Sequence, residues 1–405
     1  MDEKKIIAVV GATGAQGGGL VRAIMADANG PFTARALTRD ANSERARALA
    51  ALGAEVVAAD VDDAASLERA FAGAYGAYCV TFFWDHFSAD REIAEARAMA
   101  QAAQHAGLQH VIWSTFEDTR KLVPLGDDRM PTLQGRFKVA HFDGKAEANA
   151  EFTKRNVPTT FLLTSFYWEN FINFGAGPQR APDGALVLTM PLGQSKLPSM
   201  AAEDIGKAAY GIFKHGREFI GKTVGIAGEH LTGAQLAAGM TRALGEEVRY
   251  NDVPPEVYRG FGFPGADDLG NMFQYNRDFA DEFCGDRDLA RSRALNPELQ
   301  TYDQWLARNA DRIPIPSRGT GHIKKLSGVY GMTIVAVLPV IALLNAGTSC
   351  RSSAAYAARV AVSSCSIDVS TACDASVGRV SAPPATSPAP LPTSPESQIR
   401  FMYTR

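Results

Sequence analysis

The sequence predicts an α/β protein organised around a doubly wound parallel sheet, and three observations carry that reading. An apolar run, Ile6-Ile7-Ala8-Val9-Val10, empties into glycines at positions 11, 14 and 17. Val21, Ile24, Met25 and Ala28 then recur at helical spacing. Strand-like and helix-like segments go on alternating to about residue 163, the pattern of βαβ units with helices on both faces of a sheet.

A continuous apolar run closed by glycine suits a strand buried on both faces, so Ile6–Val10 is the first strand. Phe32 to Leu37 is expected as the second, Ser43 to Leu52 as a helix, and Ala54 to Ala59 as the third strand. Asp63 is expected to cap the next helix. Ala77 to Thr81 reads as a fourth strand, Ala89 to Ala106 as a long helix and His110 to Ser114 as a fifth strand. Right-handed crossovers bring the C-terminal strand ends to one edge, where the loops after Gly11, Thr38, Asp60, Thr81 and Ser114 converge.

The glycine loop is the expected ligand cradle. Gly11 allows a sharp turn, Gly14 lets the backbone approach a pyrophosphate, and Gly17 lets the helix pack closely while its free N–H groups face the anion. Thr13, Ala15 and Gln16 fill the positions between them. The spacing is GxxGxxG, and with a strand before it and a helix after it the loop predicts Rossmann-type dinucleotide binding. At the end of the second strand, Thr38-Arg39 offers a guanidinium, suited to a 2′-phosphate, where an acid would meet the ribose of NAD. Asp60 has two readings: it accepts from the adenine amino group, or it caps a turn.

A helix expected from Lys138 to Arg155 carries His141 and Lys145 on one face, four residues apart. Gly144 inside it suggests a close backbone approach to a ligand. After a strand at Thr159 to Leu163 comes the aromatic loop Phe166-Tyr167-Trp168-Glu169-Asn170, read equally as a lid over a flat ring or as core. Residues 1–165 form the expected dinucleotide-binding domain and 166–316 a smaller α/β substrate lobe. There, Asp204 is a candidate helix cap, and Thr232…Gln235 and Thr301…Gln304 match capping boxes. Met272-Phe273-Gln274-Tyr275 belongs to the substrate lobe or to an interface.

Residues 317–405 form a low-complexity tail of disordered or linker composition. From residue 329 onward there are eight charged residues and no lysine, and Ser381 to Pro395 contain six prolines. An apolar run of 18 residues from Val329 to Ala346, interrupted by Pro339, is a marginal membrane anchor. The net charge of −3 shows no basic stripe, which argues against nucleic acid as a partner. The N-terminus enters the first strand directly, so the expected location is cytoplasmic or nuclear. The five cysteines match neither a metal site nor a disulfide framework, and no metal is expected.

Four stretches together resemble the NmrA-like proteins, an atypical branch of the short-chain dehydrogenase/reductases, and especially the HSCARG-type redox sensors. These are Gly11-Ala-Thr-Gly-Ala-Gln-Gly-Gly18, Ala140-His-Phe-Asp-Gly-Lys145, Trp168-Glu-Asn170, and Gly262-Phe-Pro-Gly-Ala266 with Asn271-Met-Phe273. The resemblance runs from Ile6 to about Arg312. It implies NADP, with NAD as the alternative, held by the glycine loop and Arg39, with Thr81 and Phe82 alongside. It also implies Lys145 at the nicotinamide ribose, and Tyr167 and Asn170 are added to the expected cofactor contacts. Such proteins either regulate a protein partner by sensing the NADP(H) ratio or reduce a small carbonyl or enone in specialised metabolism; the sensor is the first expectation. The chain departs from the sensor pattern at Ser43-Glu44, where a second basic residue is usual, and at Ser165, where a proline is. The superfamily's usual Tyr-x-x-x-Lys is here His141-x-x-x-Lys145, and histidine titrates near neutrality. His141 and Lys145 are therefore the catalytic candidates, with Ser114 and Tyr167 as weaker proton donors.

Overall fold

The structure is a computed structural model that describes residues 3–317. The first apolar run forms β1 (Lys5–Val9), and the glycines lead into α1 (Ala15–Ala26). The alternation continues through β2 (Phe32–Thr38), α2 (Glu44–Ala51), β3 (Glu55–Ala58), α3 (Ala64–Phe71), β4 (Gly76–Cys79), α4 (Ala89–His105), β5 (His110–Thr115), α5 (Ala140–Thr153) and β6 (Thr159–Leu163). Then follow β7 (Phe166–Tyr167), α6 (Asn170–Asn173), β8 (Gln179–Arg180), β9 (Leu186–Met190), β10 (Lys196–Met200), α7 (Ala202–Lys214), β11 (Thr223–Gly225) and β12 (Glu229–Thr232). The described chain closes with α8 (Gly233–Leu244), β13 (Val248–Asp252), α9 (Pro255–Arg259), α10 (Ala266–Asp278), α11 (Ala280–Gly285), α12 (Leu289–Leu295) and α13 (Tyr302–Asn309).

Seven strands form one sheet in the order β11-β6-β5-β4-β1-β2-β3, every neighbouring pair parallel. The strand order reverses between β1 and β4, which opens the crevice where such sheets bind ligands. Both faces are covered, as the continuous apolar strands require. Val9, Leu20, Ile24 and Phe213 pack on one face, and Ala8, Phe71, Met99 and Trp113 on the other. A third core, around Trp168, Phe171 and Trp305, lies with two three-stranded sheets, β12-β10-β7 and β13-β9-β8. The chain beyond residue 166 also returns to the large sheet as β11.

Local signals hold at several helix ends. Asp63 accepts from the N–H groups of Ala65 and Ser66, and Ser43 from that of Ala46. Thr232 with Gln235 and Thr301 with Gln304 both close capping boxes. Asp204 differs from the expectation: Ala201 occupies the cap, and fully buried Asp204 accepts from the backbone and side chain of Gln300. The aromatic loop divides, with Trp168 entirely buried in the smaller core and Phe166, Tyr167, Glu169 and Asn170 half-buried. Met272, Phe273 and Tyr275 lie in α10 as core. Among the described residues no helix is long and apolar enough to cross a membrane. The apolar run at 329–346 and the proline-rich tail lie outside the described residues.

Candidate dinucleotide site

The glycine loop is pinned between two strands before α1 begins. Val10 donates to the Tyr78 carbonyl at 3.0 Å and Ala12 to the Leu37 carbonyl at 3.2 Å. Gly11 turns the chain at φ +65°, a conformation that a side chain would strain. A Cβ on Gly17 would stand 2.5 Å from the Gly11 oxygen, so the loop folds tightly only with glycine there. Gly14 caps α1 with extended backbone and no side-chain bond, and the first turn holds no acid. Among the described residues the N–H groups of Ala15, Gln16 and Gly17 have no acceptor. Unsatisfied donors at the positive end of a helix fit a pyrophosphate. Thr13 lies half-buried within this loop and Ala15 is exposed.

The expected adenosine end lies where the end of β2 meets the loop after β4. Arg39 is exposed, and one guanidinium nitrogen lies 3.2 Å from Asp85. Its other donors meet no acceptor among the described residues, so the fork stays open to an anion. Asp60 lies just beyond the end of β3, and its Oδ1 accepts from the Asp62 N–H at 3.1 Å in a turn.

Beneath the loop, Gln16 ties four elements together. Its amide nitrogen donates to the Tyr167 hydroxyl at 2.5 Å, and its oxygen accepts from Ser114 at 2.9 Å and from Tyr78. Burial pushes the Tyr167 hydroxyl up to about 12, so it stays protonated at neutral pH. Tyr167 and Ser114, the two weaker proton-donor candidates, are thus committed to one hydrogen-bonded cluster. Asn170 opens α6, three residues beyond Tyr167, and its carbonyl accepts from the Phe174 N–H.

Lys145 on α5 is buried, its Nζ 2.9 Å from a carboxylate oxygen of fully buried Glu92 on α4. Nζ also donates to the Thr81 hydroxyl at 2.5 Å and its carbonyl at 3.1 Å, and that hydroxyl donates to Glu92 at 2.7 Å. Phe82, next along, is about half exposed, its ring 6.5 Å from that of Phe174 of the smaller lobe. Gly144 marks a helix contact instead of the expected ligand approach, since a Cβ there would meet Ala89 at the start of α4.

One turn before Lys145, the His141 ring lies among Phe83, Trp84, Phe116 and Phe142, with centroids 4.6 to 5.9 Å away. Its Nδ1 bonds to Asp268 at the start of α10. α5 begins at Ala140, two residues later than the spacing suggested, because Asp143 folds back to accept from the N–H groups of Lys138 and Val139. The loop between β5 and α5 is fastened further by Asn271, which donates to the carbonyls of Pro131 and Lys138. Arg287, fully buried, binds Glu117 after β5 and the Thr164 carbonyl after β6. The structure therefore adds Glu92, Asp268, Tyr78 and the Glu117–Arg287 pair to the residues named from sequence. Asp268 carried a weak signal, since Asp267-Asp268 directly follows the Gly262–Ala266 motif; Glu92 carried none, being an ordinary acid in a charged helix.

A family model described as the NmrA-like family matches residues 3–306. The NmrA-like family domain-containing oxidoreductase lnbB of Aspergillus flavus is 28% identical over 310 residues, covering 72% of this chain and 89% of its own. The NmrA-like oxidoreductase FrzB of Cladobotryum sp is 28% identical over 292 residues, 67% of this chain and 84% of its own. Among solved structures, Nmra, a negative transcriptional regulator in complex with NAD, superposes with a TM-score of 0.62 at 25% identity, over 76% of this chain and 95% of that one. With the sheet order, the glycine loop and the family match in agreement, the chain belongs to the NmrA-like family.

Proposed function

We propose that this chain binds NADP(H) and reduces a small, flat carbonyl or enone. The observation that carries the reading is His141, a titratable ring set in an aromatic surround one helical turn from Lys145, where the loops after β4 and β5 meet. The free N–H groups of α1 would hold the pyrophosphate, and Arg39 would meet the 2′-phosphate. Relatives that bear the name oxidoreductase, and one solved with NAD, support a nicotinamide dinucleotide. Bound there, the nicotinamide supplies a hydride. His141 would hold the proton that a carbonyl oxygen needs, and Phe82 and Phe174 would receive a flat substrate. In this reading residues 1–165 carry the cofactor, 166–316 complete the cleft, and the protein acts in the cytoplasm.

One observation favours a second reading, a redox-responsive regulator that changes a protein partner with cofactor occupancy. Lys145 is already engaged by Glu92 and Thr81, so a cofactor reaching it would have to rearrange a buried ion pair. Such a rearrangement is a binding signal whether or not chemistry follows.

NADPH consumption against a panel of aldehydes, quinones and enones separates the two. A reductase gives turnover that falls roughly 10²–10⁴-fold in His141→Gln with cofactor affinity kept, the usual contribution of a general acid. NADPH binding without turnover on any of them would favour the regulator.

A further inference from the structure

His141 has two ring nitrogens, and the structure commits one of them. Nδ1 meets Oδ2 of Asp268, whose other oxygen accepts the Ala140 backbone N–H at 2.5 Å. Asp268 is buried, with both oxygens facing N–H donors of the same helix end. Val139 caps α5 without a side-chain bond, so Asp268 caps it from another helix, in the smaller lobe. Among the described residues Nε2 has no hydrogen-bond partner.

We propose that Asp268 is a positioning residue that holds His141 as the Nδ1–H tautomer and leaves Nε2 as the nitrogen that exchanges a proton with substrate. This rests on the reductase reading for its last step. A carboxylate can only accept, so the proton between it and Nδ1 stays with the ring. The mobile proton is then the one on Nε2. In reduction the carbonyl carbon gains the hydride and the carbonyl π pair takes the Nε2 proton to complete a hydroxyl. The ring is left neutral, and solvent returns its proton. The same carboxylate ties the ring to α10, so the donor is in place only when the smaller lobe is docked on α5.

Asp268→Asn separates positioning from packing. The Ala140 N–H needs an acceptor and would keep the amide oxygen, which turns the amide NH₂ toward Nδ1 and forces the opposite tautomer. The test is a long-range ¹H–¹⁵N correlation spectrum of the full ¹⁵N-labelled chain above the titration range of histidine. The seven histidines are distinguished by the signal that disappears in His141→Gln. The expected result is Nδ1–H for His141 in the native protein and Nε2–H in Asp268→Asn. An Nε2–H ring in the native protein, or an unchanged tautomer in Asp268→Asn, overturns the proposal, and the first outcome needs no variant to fold. On any substrate found, Asp268→Asn should lower kcat roughly 10²–10⁴-fold with NADPH affinity kept; an unchanged kcat also overturns it. The expected tautomers with no turnover on any carbonyl would remove the reductase reading and, with it, the catalytic step, while the orientation of the ring would stand.

Discussion

The ammonium of Lys145 lies 2.9 Å from a carboxylate oxygen of Glu92, and neither side chain is more than a tenth exposed. A pair so enclosed costs more to break than to replace, because removing one partner strands a charge away from water. Lys145→Ala should therefore destabilise the fold by about 3–5 kcal/mol. Lys145→Met combined with Glu92→Gln should recover most of that loss. Denaturant unfolding measures both variants, and a double variant no more stable than Lys145→Ala would show that the pair is not the cause. If Lys145 also reaches the cofactor, the double variant stays weak in NADPH binding.

The loop chemistry gives a second expectation. Gly17→Ala places a methyl 2.5 Å from the Gly11 oxygen, so the turn must open. Overpacking of this kind costs about 1–3 kcal/mol, and it falls on the segment whose N–H groups have no acceptor among the described residues. Cofactor affinity by calorimetry should drop more than overall stability does.

Arg39 bears on cofactor choice. An open guanidinium beside a 2′-phosphate is worth roughly tenfold to a hundredfold in affinity. Arg39→Ala should weaken NADP by that factor and NAD very little. Asp85→Asn, which removes the arginine's present partner, should leave the NADP preference or raise it.

A pH dependence follows from His110. It is fully buried, its Nε2 2.9 Å from the Thr160 hydroxyl, and burial pulls its pKa down to about 4. The unfolded chain takes up this proton near pH 6.5 and the folded chain only near 4, so stability is full above 6.5 and declines as pH falls toward 4. The difference amounts to about 3 kcal/mol when complete. Unfolding midpoints from pH 8 to pH 4 should fall less steeply in His110→Gln than in the native protein.

The described fold closes on itself at its C-terminal end. Arg180 donates to the Pro316 carbonyl at 2.6 Å, and Ile313 is buried in the smaller core. A chain ending at Ser317 should fold and bind cofactor with native affinity, as gel filtration and calorimetry would show.

What was legible in the sequence was whatever repeats or punctuates. The period of the strands and helices placed the sheet, and the glycine loop and capping boxes each fix a backbone conformation within a few residues. Side chains at those positions act locally, so Asp63 and Thr232 read correctly. Asp204 did not, because its acceptors serve Gln300, 96 residues away in sequence. Glu92 and Asp268 escaped for the same reason: each is defined by a partner on another helix, and an acid in a charged helix gives no sign of being buried. His141 and Lys145 were visible as a pair on one face, but their partners were not.

The contact between α1 and α7 has a mechanical consequence. A Cβ on Gly206 would lie 2.1 Å from the Leu20 nitrogen, and one on Gly19 would lie 2.4 Å from the Glu203 oxygen, so the two helices meet main chain to main chain. Side chains can shift among rotamers to absorb a displacement, whereas a seam of bare backbone has no such slack. The start of α7 is itself gripped by Glu169, which accepts from the Ala202 N–H and from Trp305. Any force on the aromatic segment of the smaller lobe is thus delivered stiffly, through one helix, to the unsatisfied N–H groups at the start of α1.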